Sequence, residues 1–395
     1  MRALLTPAGW ALLERLPPYD EGRALALSER LHAEGHDPAL VSAALTQTRL
    51  RARARDKLGP FADAMLFTPD GLEQASRLSV AAHHARRFIG AGCERVVDLG
   101  CGLGSDAMAF AGLDLGVLAY DADELTAALA AVNLRHWPDA EVRCADATAL
   151  DLGAVLEPGD GVWLDPARRT GSRGSSRRTF DPEAFSPPYS FVLDVAVRVP
   201  ATGAKLAPGI AHRLLPPDAE AQWVSVGGDV VECALWCGPL AREGVSRSAL
   251  LLDGAGGVEE LTAGETSAAP VGPVGGWLHE PDGAVIRAGL VGEVARQVGG
   301  TLLDPTIAYV STEHPASTPF ARSYAVEDVL PFSLKRLRAY LRDRGVGRLT
   351  VKKRGSAVDP DLLRRQLKLS GDASATIALT RVDGRPHVLV LRPLP

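Results

Sequence analysis

Three glycines at alternate positions, Gly100, Gly102 and Gly104, follow the apolar pair Val96-Val97 and the acid Asp98. The residues around them read as a strand before and a helix after. Such a turn lets the backbone pass close to a bulky ligand and aims unpaired helix N–H groups at a polar tail. A dinucleotide turn needs G-x-G-x-x-G, and Ser105 stands where its third glycine belongs, which argues against a nicotinamide oxidoreductase. A carboxylate at the strand end likewise suits an ammonium and not a diphosphate. Asp121 and Asp146 end the next two strands, where the first can accept both ribose hydroxyls and the second an adenine amino group, with Ala145 and Ala147 leaving room for a flat ring. One such aspartate alone is an ordinary helix cap. Three in register after the glycine turn define a nucleoside site at the carboxyl edge of an open α/β sheet.

A fourth strand ends in Asp165-Pro166-Ala167-Arg168-Arg169. Asp165 can accept hydrogen bonds from an exocyclic amine, and Pro166 stiffens the turn that carries it; these two are the expected catalytic residues. Five arginines without one acid follow from Arg168 to Arg178. Read blandly they are a solvated loop. Beside a reaction centre, Arg168, Arg169 and Arg173 can hold an anionic substrate such as a phosphate backbone. Tyr189, after Ser186-Pro187-Pro188, is either a stacking platform for a base or part of a turn.

The elements that must position these groups alternate in the required way. Segments 96–98, 116–121, 141–146 and 160–165 read as strands separated by helices, the pattern of βαβ units and a parallel sheet. Before them, 23–33 and 38–55 read as helices, the second ending in a solvated Arg51, Arg53, Arg55 face. A further helix over 72–89 places Leu78, Ala82, Ala85 and Ile89 on one stripe. Residues 251–282 are rich in Gly and Pro, as a hairpin insertion or linker would be. Beyond them, 333–343 and 360–369 read as helices and 348–352, 375–380 and 387–391 as strands, the last two joined by an Asp383-Gly384 turn. The expected organisation is a helical domain over 1–75, an α/β domain over 76–285 and a small α+β domain over 286–395.

Bulk properties narrow the class. With 46% hydrophobic and 23% charged residues, the 395-residue chain has the composition of a soluble globular protein. No basic segment followed by an apolar one opens the chain, and no apolar run reaches the roughly 18 residues of a membrane span. The five cysteines lack framework spacing, so reduced thiols in a cytoplasm are expected. Cys233 and Cys237 have no matching His or Cys pair, and no metal is expected. The net charge of -5 hides a strong segregation: between 333 and 371, twelve Lys and Arg face three Asp, a local +9. A segregated basic face is the electrostatic footprint of a nucleic-acid binder, and within it Lys352, Lys353 and Arg354 are candidate RNA contacts.

The glycine turn, Leu72-Glu73-Gln74-Ala75-Ser76, Asp165-Pro166-Ala167-Arg168-Arg169, Lys205-Leu206-Ala207-Pro208-Gly209, Trp223-Val224-Ser225 and Val351-Lys352-Lys353-Arg354-Gly355 together resemble bacterial class I methyltransferases that use S-adenosylmethionine (SAM) and carry a C-terminal THUMP-like domain. The resemblance implies a Rossmann-like sheet, Asp98, Gly100, Gly102 and Gly104 as the cofactor loop, Asp121 at the ribose and Asp146 at the adenine. It also implies that Asp165 faces the sulfonium methyl and that the acceptor is a base in tRNA or rRNA, since THUMP domains in relatives present RNA. Relatives that methylate exocyclic amines show Asp-Pro-Pro or Asn-Pro-Pro here; Ala167 replaces the second proline. A small-molecule or protein methyltransferase, and a SAM- and RNA-binding module without catalysis, are the other readings of the same residues.

Overall fold

The computed structural model describes residues 1–167, 169–170, 177–178 and 181–394, with the backbone alone at 169–170 and 177–178. Arg168, Arg169 and Arg173, expected at the substrate, therefore have side chains outside the described residues. The chain packs as two units, one of Met1–Ile210 with Ala234–Ala241, the other of Ala211–Cys233 with Arg242–Pro395.

The first unit opens with three helices, α1 (Pro7–Arg15), α2 (Ala24–Ala33) and α3 (Pro38–Leu58). Thr6 and Asp37 cap α1 and α3, each accepting from a backbone N–H of the first turn, with proline at the first helical position. The single helix expected over 72–89 is two, α4 (Pro69–Gln74) and α5 (Leu78–Gly90). The break at 75–77 resets the helical phase. The buried face of α5 is consequently Val80, Ala81, His84, Ala85 and Phe88, and Ile89 is 44% exposed.

The sheet follows as β1 (Arg95–Leu99), α6 (Ser105–Gly112), β2 (Gly116–Asp121), α7 (Glu124–Asn133), β3 (Ala140–Cys144), α8 (Leu152–Val155) and β4 (Asp160–Leu164). After a two-residue pair, β5 (Arg169–Thr170) and β6 (Arg177–Arg178), come α9 (Tyr189–Arg198) and β7 (Thr202–Leu206). Five strands run parallel in the order β3-β2-β1-β4-β7. The strand order reverses between β1 and its two neighbours, the topological switch point at which ligands bind in open α/β sheets. Beneath it, Phe88, Phe110, Trp163 and Trp236 meet at tilted and edge-on angles, with ring centroids 5.4 Å apart for the two phenylalanines and 5.6 Å for the two tryptophans. Such pairs add about 0.5–1.5 kcal/mol each beyond their buried area.

The three N-terminal helices belong to this unit and are bolted to the sheet by two buried amides. Gln47 on α3 accepts from Phe67 N at 2.9 Å and donates to Phe67 O at 2.6 Å. Asn133, the last residue of α7, accepts from Leu66 N at 2.7 Å and donates to Leu103 O in the glycine turn at 2.9 Å.

The second unit holds β8 (Glu220–Val226), most of β9 (Asp229–Trp236), β10 (Arg247–Leu252) and β11 (Val258–Ala263). β8 and β10 pair in parallel, and β10 and β11 form an antiparallel hairpin. Then come β12 (Trp277–Pro281), α10 (Gly283–Ala288), α11 (Val291–Val298), β13 (Thr301–Asp304), β14 (Ile307–Thr312), β15 (Ala321–Pro331), α12 (Leu334–Asp343), β16 (Val346–Lys353), α13 (Pro360–Leu367), β17 (Ala373–Val382) and β18 (Arg385–Pro393). These form a seven-stranded sheet ordered β13-β14-β12-β15-β18-β17-β16. Asp383 and Gly384 both have positive φ, 48° and 71°, giving the expected tight turn between β17 and β18. β12 lies inside what reads as a linker, and the expected boundary at 285/286 falls within α10. Leu337, Leu341, Leu363 and Leu367 of α12 and α13 pack on Ile377, Leu379 and Val388 in one core.

Candidate functional site

A cleft of about 450 Å³ opens in the first unit at the carboxyl ends of the parallel strands; Gly100, Gly102, Asp121, Asp146 and Asp165 line it, with Gln74 of α4. Four of the expected cofactor residues, Gly100, Gly102, Asp121 and Asp146, thus share one cavity wall with Asp165, although 65 positions separate the first from the last; Asp98 and Gly104 are not part of that lining.

The glycine turn has the geometry its composition requires. Gly100, Gly102 and Gly104 all have positive φ, 101°, 56° and 81°. Gly104 is the N-terminal cap of α6. A Cβ built on Gly102 would meet no atom within 4 Å, so the loop presents bare backbone to open space.

Asp98, in β1 between Ala119 of β2 and Trp163 of β4, is 1% exposed. Neither of its carboxylate oxygens has a hydrogen-bond partner. Leaving such a group unsatisfied costs about 1–3 kcal/mol, more when charged, so the arrangement persists only where something else repays it. Burial, with Asp106, Asp165 and Asp121 nearby, pushes its carboxyl well above the ordinary range. An orphaned buried carboxylate beside a bare glycine backbone fits the ammonium and carboxylate of an amino-acid tail.

Asp121 at the end of β2 takes one backbone N–H on each oxygen, from Gly102 at 3.0 Å and Asp123 at 2.9 Å. It thereby ties the glycine turn to β2 and keeps a lone pair on each oxygen for a diol. Burial raises its carboxyl above the ordinary value despite these bonds. Asp146 uses Oδ1 to cap its own short turn, accepting from Thr148 N at 2.9 Å and Thr148 Oγ1 at 2.8 Å. Its Oδ2 is not taken up by the cap.

Asp165 sits just past β4. Lys205 Nζ, from the middle of β7 and 9% exposed, donates to Asp165 Oδ2 at 2.7 Å, to Ser76 Oγ at 3.1 Å and to Gln74 O at 3.1 Å. Ser76 Oγ donates in turn to Asp106 Oδ2 at 2.7 Å, and His84 Nδ1 lies 2.8 Å from Asp106 Oδ1. Burial pushes the Asp106 carboxyl up, but the bonds from His84 and Ser76 and the charge of Lys205 hold it below its ordinary value. Pro166 is buried, and Ala167 is fixed by a two-way backbone bridge to Ser186 at 2.8 and 3.1 Å.

Lys205, Ser76, Asp106 and His84 are functional candidates that the reading of single motifs missed. Two of them lie in the segments 72–76 and 205–209 that carry the family resemblance, and only the fold shows that these segments meet at Asp165. Other expectations are corrected. Tyr189, read as a possible stacking platform, is 3% exposed at the start of α9 and offers a base no free face. Lys352 and Arg354 are turned inward onto Glu280, at 2.5 and 3.6 Å; Lys353 alone of that trio is exposed.

A parallel sheet whose carboxyl edge carries a bare glycine turn, an aspartate tied to that turn and a lysine-held aspartate is a class I methyltransferase sheet. Comparison with known proteins agrees. Two proteins of Mycobacterium tuberculosis, strains CDC 1551 and H37Rv, each named an uncharacterized S-adenosylmethionine-dependent methyltransferase, are 35% identical over 344 residues, 85% of this chain and 91% of each relative. A candidate methyltransferase from Porphyromonas gingivalis W83 shares the fold over 96% of this chain and 100% of its own, with a TM-score of 0.67 at 20% identity. Family profiles described as THUMP domain-like and as a domain of unknown function match residues 321–393 and 1–54. The chain belongs to the family of S-adenosylmethionine-dependent methyltransferases, with a THUMP-like segment at its C-terminus.

Proposed function

We propose that the protein methylates an exocyclic amine of a base in structured RNA, such as tRNA or rRNA, in the cytoplasm. The observation that carries this reading is Asp165, a carboxylate on the wall of the cofactor cleft with one oxygen anchored by Lys205. SAM supplies an electrophilic methyl on a sulfonium. Asp98 would take its ammonium and Asp121 its ribose hydroxyls, Asp146 would accept from the adenine amino group, and the bare Gly102 backbone would leave room for its tail. Asp165 accepts an N–H of the acceptor amine and so turns the nitrogen lone pair towards the methyl. Asp165 would then take the proton that the methylated nitrogen releases and pass it to water. Alignment and proton acceptance are what a protein adds to such a transfer. The RNA part of the reading rests on the basic THUMP-like segment and the arginine run at 168–178.

One observation favours a second reading. The cleft is lined by Asp70, Asp121, Asp123, Asp146 and Asp165, and by no Lys or Arg among the described residues. An acidic rim suits a small or peptidic amine as well as a base. Methyl-tritiated SAM incubated with separate pools of RNA, protein and metabolites from a strain lacking the gene decides between them. Label in one RNA species, lowered roughly 10²-fold by Asp165→Ala, supports the first reading. Label confined to protein or metabolites sinks it, and SAM binding without any labelled product points to a non-catalytic module.

A further inference from the structure

The N-terminal helices enclose a second cavity of about 450 Å³ in the first unit, separate from the cofactor cleft. Trp10 and Leu13 of α1, then Leu16, Pro17, Pro18 and Tyr19 form one side of it; Arg51 and Arg55 of α3, with Arg135 after α7, form the other. Both Arg51 and Arg135 lie over the Trp10 ring, their guanidinium carbons 5.7 and 4.5 Å from its centroid. Two cations have therefore been brought to one indole, and among the described residues no carboxylate is hydrogen-bonded to either. Two acids, Asp63 and Glu14, line the same cavity, each bonded to another residue of its lining. Asp63 is held by Arg55 through two bonds, at 3.0 and 2.7 Å, and Glu14 accepts from Trp10 Nε1 at 2.6 Å. Arg51 spends only Nε on the protein, donating to Met65 O at 2.9 Å. Burial lowers its pKa to about 10, the charge of Asp63 working against this, that of Arg135 adding to it and that of Glu14 opposing it. Arg51 thus departs from the solvated arginine face expected of α3.

With Arg51, Arg55 and Arg135 set against Glu14 and Asp63, the lining keeps a net positive charge of one, and a planar guanidinium fork matches phosphate oxygens. Pro17, Pro18 and the half-buried Tyr19 add apolar surface and one aromatic ring to the same lining, and aromatic rings are surfaces on which bases stack.

We propose that this cavity binds a nucleotide, with Arg51 and Arg135 on its phosphate and Tyr19 against its base. The proposal extends the RNA reading and depends on it only for the source of the nucleotide, a strand or a free molecule. α7 leads from Asp123, at the cofactor cleft, to Arg135, and its ten residues span about 15 Å. A strand entering the cavity is therefore held a few nucleotides away from the methyl-transfer site.

Arg135 is exposed, and Tyr19 is half-buried without a hydrogen-bonded partner, so Arg135→Glu and Tyr19→Ala test the proposal without dismantling a core. Each is expected to weaken binding of a fluorescein-labelled single-stranded RNA at least tenfold, while SAM affinity measured by calorimetry stays within about twofold. Arg135→Glu also lowers the slope of log affinity against log salt by about one. A 4-thiouridine-containing RNA is expected to photo-cross-link to peptide 7–19. Displacement by adenosine or uridine monophosphate identifies a free-nucleotide site; displacement by oligonucleotide alone identifies a strand site. Unchanged RNA and nucleotide affinity in both variants with no cross-link to this peptide overturns the proposal, as does a wild-type protein that binds neither probe. Methylated RNA together with unaffected variants removes this site and leaves the RNA reading standing. Lost nucleotide binding without any RNA methylation does the reverse.

Discussion

Asp98 carries a tension between stability and binding that a single substitution can expose. Its folded pKa lies above that of an unfolded aspartate, so the ionised form opposes folding above the folded pKa. That opposition fades as pH falls through it. Asp98→Asn keeps the shape and removes the charge. The ligand-free variant should melt at or above the wild-type temperature, by a margin that widens as pH rises, in differential scanning fluorimetry across a pH series. The same variant should bind SAM at least tenfold more weakly, a loss of about 1.4 kcal/mol or more. A variant that binds SAM as well as wild type would remove Asp98 from the ammonium. Asp121, also raised by burial, would need its charge in the proposed ribose role; cofactor affinity should then fall on acidification before ordinary surface carboxylates titrate.

At the scale of elements, the amides that join helices to sheet are the points of failure. Asn133→Ala strands Leu66 N and two carbonyls in a buried setting, each left group costing about 1–3 kcal/mol. The variant should lose about 3 kcal/mol in urea unfolding and loosen the glycine turn through Leu103. How much could be read in advance follows the same division between local and distant. The β1 turn, β2 with Asp121, and the α12–β18 succession are legible because period, capping and glycine placement are local signals. The break at 75–77 was hidden because its cause is Ser76 reaching Asp106 and Lys205, 30 and 129 positions away. β12 was hidden because Trp277–Pro281 follows a Gly- and Pro-rich stretch and owes its strand to partners in β14 and β15. The inward turn of Lys352 was invisible for a like reason: Glu280, its partner, lies 72 positions before it.

Across the whole chain, charge is sorted by role. In the THUMP-like segment, Lys335, Arg336, Arg342, Lys353, Arg365 and Lys368 are exposed, whereas Lys352 is 21% exposed and spent on Glu280. Neutralising Lys335, Arg336 and Arg342 of α12 to Gln should weaken RNA binding about equally for all sequences and flatten its salt dependence. Lys352→Gln should instead lower the melting temperature and leave the salt slope unchanged; equal effects on RNA binding from both would refute the distinction. Asn133 has one more implication. Its amide joins the segment at 65–67 to the glycine turn proposed to hold SAM, so free energy put into ordering that turn is shared with helices well away from the cleft. Ligand occupancy should then be legible as slowed amide hydrogen exchange in α3 and at Leu66. By reciprocity, whatever docks against the N-terminal helices tunes how tightly the enzyme holds its methyl donor.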